Sequence, residues 1–176
     1  MWSGTPVLER QTRHSAVHPL YTPDQKLRRD STVWTLVQGL LAPLQFAIFV
    51  VSAVLVVRYL LTGEGAFAAT VSIVVNTLAL YTIMVTGSIW EKVVFDRWLF
   101  AEAFFWEDVF SFLVLALHTA YLVMLVGDLG TERGRMLLAL AAYATYAVNA
   151  TQFLLKLRAA RLQEAVESAQ RRTVAA

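Results

Sequence analysis

The sequence contains no cysteine. That excludes a disulfide framework, thiolate catalysis, an iron–sulfur cluster and a thiolate zinc site. Histidine is nearly as scarce. Two of the three, His14 and His18, lie in the polar N-terminal segment, which argues against a multi-histidine metal centre. Charge is also sparse: 16% of residues are Asp, Glu, Lys or Arg, and the net charge is only +2. Nothing in that balance points to nucleic acid. The first thirty residues are polar and mixed and hold no cleavable signal peptide, so insertion into a membrane is expected to rely on the chain's own spans.

What is present is apolar. Of 176 residues 57% are hydrophobic, and mean hydropathy is +0.55. Four apolar stretches cover about 33–61, 66–90, 104–125 and 136–157. Each has about 20 residues or more, enough to cross ~30 Å of hydrocarbon as a helix. Backbone groups in lipid must be satisfied internally, which makes these stretches helices. Pro43 is expected to kink the first span or split off a short turn. Short links make successive helices antiparallel neighbours. Twelve of the fifteen basic residues lie before the first span, in the middle link or at the C-terminal end from Lys156 onward. That bias predicts cytoplasmic termini and a cytoplasmic middle link. The reading is therefore an all-α, integral membrane, up-down four-helix bundle over 19–162. It has a mobile tail at 1–18 and a polar helix end at 163–176. Before the first span, Thr22, Pro23 and Gln25 have the spacing of a capping box for a short surface helix.

Polar residues are costly inside hydrocarbon, so the faces they occupy are informative. On a 3.6-residue helix Glu107, Ser111, His118 and Tyr121 share a sector of about 60°. Thr77, Tyr81, Ser88 and Glu91 do likewise in the second span, and Trp34, Gln38, Gln45 and Ser52 in the first. Tyr146, Asn149, Gln152 and Lys156 form a stripe on the fourth. The four stripes are expected to converge on one interior. Interhelical hydrogen bonds worth ~0.6–2 kcal/mol each account for Gln38, Gln45, Thr77 and Ser111 without catalysis. Lys156 and Arg58 are expected to snorkel to the interface. Trp34, Trp90, Trp98 and Trp106 suit an aromatic belt.

Glu91 closes the second span, Glu107 opens the third, and Glu102 lies between them. Carboxyls clustered in a partly dry site suit a general acid near neutral pH. An interfacial salt-bridge network with Lys92 and Arg97 accounts for them equally well. Asp108 points about 100° away from Glu107 and complements the positive N-terminus of its helix. His118 lies eleven residues beyond Glu107, about 16 Å along a helix axis.

Four stretches carry a resemblance: "PLYTPDQKLRRDSTVWTLVQGLLAPLQF" (19–46), "LYTIMVTGSIWEKVVFDRWLF" (80–100), "AFFWEDVFSFLVLALHTAYL" (103–122) and "AAYATYAVNATQFLLKLRAARL" (141–162). With them the chain resembles the 3-vinyl bacteriochlorophyllide hydratases of bacteriochlorophyll biosynthesis. "TGSIWEKVVF" and "FFWEDVFS" mix charge and aromatic residues in ways that hydropathy alone does not reproduce. The resemblance implies a hydro-lyase that adds water across the ring-A vinyl group of a chlorophyllide or bacteriochlorophyllide, giving a 1-hydroxyethyl group. It implies no redox cofactor, in keeping with the missing dinucleotide motif, and magnesium only as part of the tetrapyrrole substrate.

On this reading Glu91 and Glu107 are the candidate acid and base, with Asp108 and Glu102 behind them. Tyr81, Trp90, Phe104, Phe105 and Trp106 are candidates to line a cleft for the flat pigment, with Ser111, Tyr121 and Asn149 as further pocket residues. Lys92 or Arg97 would meet its propionate. His118 is a candidate for proton chemistry or for ligating the substrate's magnesium, although its distance from Glu107 strains any scheme in which it holds the metal while Glu107 protonates the vinyl group. The implied place is a bacterial inner or intracytoplasmic photosynthetic membrane, with lipid and other pigment-synthesis enzymes as neighbours. A pigment-binding scaffold without catalysis and a small transporter are the rival readings. Oligomeric state is left open.

Overall fold

The computed structural model describes residues 20–174. The expected N-terminal tail, with His14 and His18, lies outside the described residues. Those residues form five helices and no strand: α1 (Pro23–Ser31), α2 (Val33–Thr62), α3 (Ala66–Phe95), α4 (Phe105–Val126) and α5 (Glu132–Val174). Four of them, α2 to α5, are long and apolar enough to cross a membrane. In α5 that stretch is Glu132–Leu162. The helix starts four residues before the apolar run read from the sequence at 136–157 and continues past it to Val174.

α1 begins where its sequence says it should. The Thr22 hydroxyl accepts from the Gln25 N–H, and the Gln25 side chain accepts from the Thr22 N–H. Thr22→Ala is expected to cost about 0.5–2 kcal/mol of local helix stability. Faster amide exchange confined to α1 would be the observable.

α2 runs unbroken through Pro43, so the split turn expected there does not form. Proline removes one helical N–H. Breaking the helix in lipid would strand several more backbone groups, so continuity costs less. Gly63, with φ of 76°, caps α2 in the left-handed conformation and returns its N–H to the Tyr59 carbonyl. Only three residues then separate α2 from α3.

α2 packs along α3 and α4 along α5, and the two hairpins meet through α2–α5 and α3–α4 contacts. Down its axis the bundle has three layers. At the end holding the 63–65 and 127–131 links, Val56, Ala69, Ile73, Tyr121, Met136, Ala139 and Tyr143 form an apolar core. Ala69 and Ala139 let the helix backbones approach closely there. A polar layer follows. At the opposite end, α1, the 96–104 link and the far part of α5 surround a group of carboxyls and aromatic rings.

Candidate active site

The carboxyl end is built from two helix termini and the middle of a third helix. Glu91 lies one turn before the end of α3, Glu107 and Asp108 lie in the first turn of α4, and Lys156 lies on α5. All three carboxyl residues are buried. Consecutive residues on a helix point about 100° apart, so Glu107 and Asp108 face different neighbours. Glu107 faces α5, where the Lys156 ammonium lies 2.6 Å from Oε1 and 2.7 Å from Oε2. The same ammonium donates to the Ala103 carbonyl and sits 5.0 Å from the centre of the Phe104 ring. Asp108 faces α3, where its carboxyl lies beside that of Glu91, near enough for the two to share a proton.

The link between α3 and α4 closes over this carboxyl pair. The Phe100 N–H donates to Asp108 Oδ2 at 2.6 Å, and the Ala101 N–H donates to Glu91 Oε2 at 3.2 Å. Two successive link amides thus reach the two members of the pair. The price appears at Phe100, whose φ of 58° is left-handed, a conformation that costs a non-glycine residue roughly 1–3 kcal/mol.

Aromatic rings wall the site. Tyr21 stacks on Phe95, Trp90 meets Phe95 and Phe104 edge-on, and Phe104 stacks on Phe153. The Trp90 indole N–H donates to the Thr35 hydroxyl at 2.9 Å, anchoring α3 to the start of α2. Phe105 and Trp106 point outward instead and are exposed. Lys92 is committed to Asp96 at 2.6 Å. That hydrogen bond, with the ammonium charge, holds the Asp96 carboxyl below the usual carboxylate range. Arg97 and Glu102 are exposed on the link.

The other predicted site residues lie deeper. Asn149 donates to Ser111 at 2.8 Å, and Tyr81 pairs with Thr119 at 2.7 Å. Tyr121 belongs to the apolar core. His118 is fully buried. Its Nδ1 is 2.8 Å from the Val114 carbonyl and its Nε2 is 3.1 Å from the Asn76 amide nitrogen. Asn76 in turn accepts from Gln45 at 2.9 Å. Both imidazole nitrogens therefore have partners inside the protein, and the histidine ties α4 to α3 and α2. Removing the hub with Asn76→Leu leaves the Gln45 amide nitrogen and His118 Nε2 without their partner. A loss of about 1–3 kcal/mol is expected, read as a lower unfolding temperature in detergent with little change at the carboxyl end.

Sequence reasoning missed three participants. Lys156 was assigned to snorkelling, although it continues the stripe through Asn149 and Gln152. Asn76 sits one position from Thr77 and was passed over for it. The Phe100 and Ala101 amides carry no side-chain signal. A cleft of about 200 Å³ opens between α2 and α3 beside Leu41, Leu44, Gln45, Ala79 and Thr82. It is about 18 Å along α3 from Glu91 and has no part in the carboxyl site.

The family profile of 2-vinyl bacteriochlorophyllide hydratase matches residues 21–159. The chain belongs to this family. The match takes in α2, α3 and α4, nearly all of the apolar part of α5, and each carboxyl described above. Among family relatives, the 2-vinyl bacteriochlorophyllide hydratase of Rhodobacter capsulatus is 66% identical over 151 residues, covering 85% of this chain and 87% of the relative. That of Cereibacter sphaeroides is 64% identical over 152 residues, covering 86% and 92%. No solved structure matches. The ring carbon that bears the vinyl group, written 2 in these names, is position 3 in the other numbering of the macrocycle.

Proposed function

We propose that this protein hydrates the ring-A vinyl group of a bacteriochlorophyllide or chlorophyllide, with Glu91 and Asp108 as its acid and base. Family membership supports the reaction, and the buried carboxyl pair supports the assignment. A hydrogen bond between two carboxyls needs one proton between them. The shorter amide bond, at Asp108, favours negative charge there. Glu91 then carries the proton.

The steps follow from that state. Glu91 protonates the terminal vinyl carbon, and positive charge develops on the inner carbon and spreads into the macrocycle. The Asp108 carboxylate stabilises that charge. Water attacks the inner carbon, Asp108 takes its proton, and the hydrogen bond between the two carboxyls returns a proton to Glu91. One water is consumed and no electrons are transferred, so the reaction calls for no redox cofactor. Magnesium belongs to the substrate. Glu107, paired with Lys156, acts as a fixed brace between α4 and α5. His118 organises the polar layer and does not meet the substrate's metal. The basic bias orients the carboxyl end and both termini toward the cytoplasm, in the bacterial membrane where the pigment is made.

Membranes holding the protein, given a 3-vinyl pigment and no nucleotide, should yield a product heavier by one water. In D₂O that product should carry one deuterium on its new methyl carbon. A pigment that co-purifies unchanged would support the scaffold reading instead.

A further inference from the structure

The carboxyl pair is nearly inaccessible as it stands: Glu91 is 5% exposed and Asp108 is 6%. A vinyl carbon must approach within contact distance of an acid to take its proton. The link over the pair therefore bears on how substrate enters.

Phe100 is the central residue of that link. Its amide bonds Asp108, and its ring lies against the outward face of α4. It stacks on Phe112 with centroids 5.4 Å apart and planes 12° from parallel, and packs against Phe105 at 5.6 Å. Phe105, Asp108 and Phe112 fall on one side of α4 by helical spacing. Phe100, Phe105 and Phe112 are all exposed to the surroundings of the bundle. The strained left-handed backbone at Phe100 has a visible return. It brings one aromatic ring flat onto Phe112 while its amide reaches the acid.

The geometry points to the Phe105–Phe112 face of α4 as the seat of the flat macrocycle, with the 96–104 link as a lid that the pigment lifts by taking the place of the Phe100 ring. This rests on the hydratase reading above. Stacking on Phe112 would put one edge of the macrocycle beside Asp108. Lifting Phe100 would draw its amide off Asp108, freeing that carboxylate to act as base at the moment substrate arrives. Arg97, exposed three residues earlier on the same lid, supplies a cation for the pigment's propionate. The seat opens sideways from the bundle, which suits a substrate that partitions into lipid.

The absence of cysteine makes the test clean. In Phe100→Cys/Val109→Cys, which leaves Phe105 and Phe112 in place, a short cleavable dithiol-reactive linker ties the lid to α4 at the exposed Val109 position. Pigment binding, followed by quenching of tryptophan fluorescence, and turnover are measured before linking, after linking and after cleavage. The expected result is at least a tenfold loss of both on linking and recovery on cleavage. Undiminished binding and turnover in the linked protein would overturn the lid. A second measurement uses a spin label on Trp98→Cys, at an exposed link position. Its mobility should change when 3-vinyl pigment is added, and an unchanged spectrum with pigment bound would overturn the lid as well. If the unlinked and wild-type proteins neither bind nor hydrate the pigment, the hydratase reading falls and the lid falls with it.

Discussion

Asp108→Asn lowers turnover by about 10²- to 10⁴-fold, the usual contribution of a positioned acid or base, while pigment binding is retained. Asparagine keeps the shape of the side chain and an oxygen to accept the Phe100 N–H, so the link still closes. What it loses is the ability to take a proton from the attacking water. Glu91→Gln is expected to fail to a similar degree for the complementary reason: it keeps an acceptor for the Ala101 N–H and has no acidic proton to give. Glu107→Gln is the informative contrast. Its partner is an ammonium, not a second carboxyl, so its loss should weaken the fold more than the chemical step. Single-turnover hydration by the three variants, each alongside a binding measurement, decides the matter. An active Asp108→Asn beside an inactive Glu107→Gln would sink the Glu91–Asp108 assignment and restore Glu107 as the reacting group.

Lys156→Met is expected to destabilise the protein by about 3 kcal/mol, the low end for breaking a buried ion pair, because Lys156 is itself 28% exposed. The carboxylate left behind is 4% exposed, and Lys156 supplies contacts to both of its oxygens. The N-terminus of α4 returns only about 0.3–1 kcal/mol to that charge. For a chain of this size, 1 kcal/mol moves the unfolding temperature by roughly 2–4 °C, so the shift should be plain in a thermal melt in detergent. Lys156→Met/Glu107→Gln removes the charge along with its partner and should recover most of the loss. Additive losses in the double variant would show that the two side chains act independently.

Much of the fold was legible because its signals are long. Twenty apolar residues in a row leave the backbone no option in lipid except a helix, and the ends of the four apolar helices fall within a few residues of where the sequence puts them, with α5 running on past its apolar part as one polar helix end to Val174. Pro43 does not split off a turn because its local cost is a property of one residue, whereas continuity is enforced by the whole span. The candidate site was legible in part. Glu91, Glu107 and Asp108 do share one end of the bundle, but a helical stripe ranks residues by angle within one helix and says nothing about the neighbour each one meets. Asp108 falls outside the Glu107 stripe, so the sequence ranks it behind Glu91 and Glu107 and accounts for it equally as a helix-terminus charge. Lys156 fell inside its stripe and was read as a snorkelling cation.

The sequence by itself determined the solvent, the number of spans, the capped surface helix and the supply of carboxyls and aromatic rings at one end. These follow from short-range rules of hydropathy, capping and helical period. Only the tertiary structure decided the partners. It set Asp108 against Glu91, Glu107 against Lys156, His118 against Asn76, and the Phe100 and Ala101 amides over the carboxyl pair. The physical reason is that each choice depends on the rotation of one helix against another and on the path of a nine-residue link. Those are set by packing across the bundle, which no single stretch of sequence encodes.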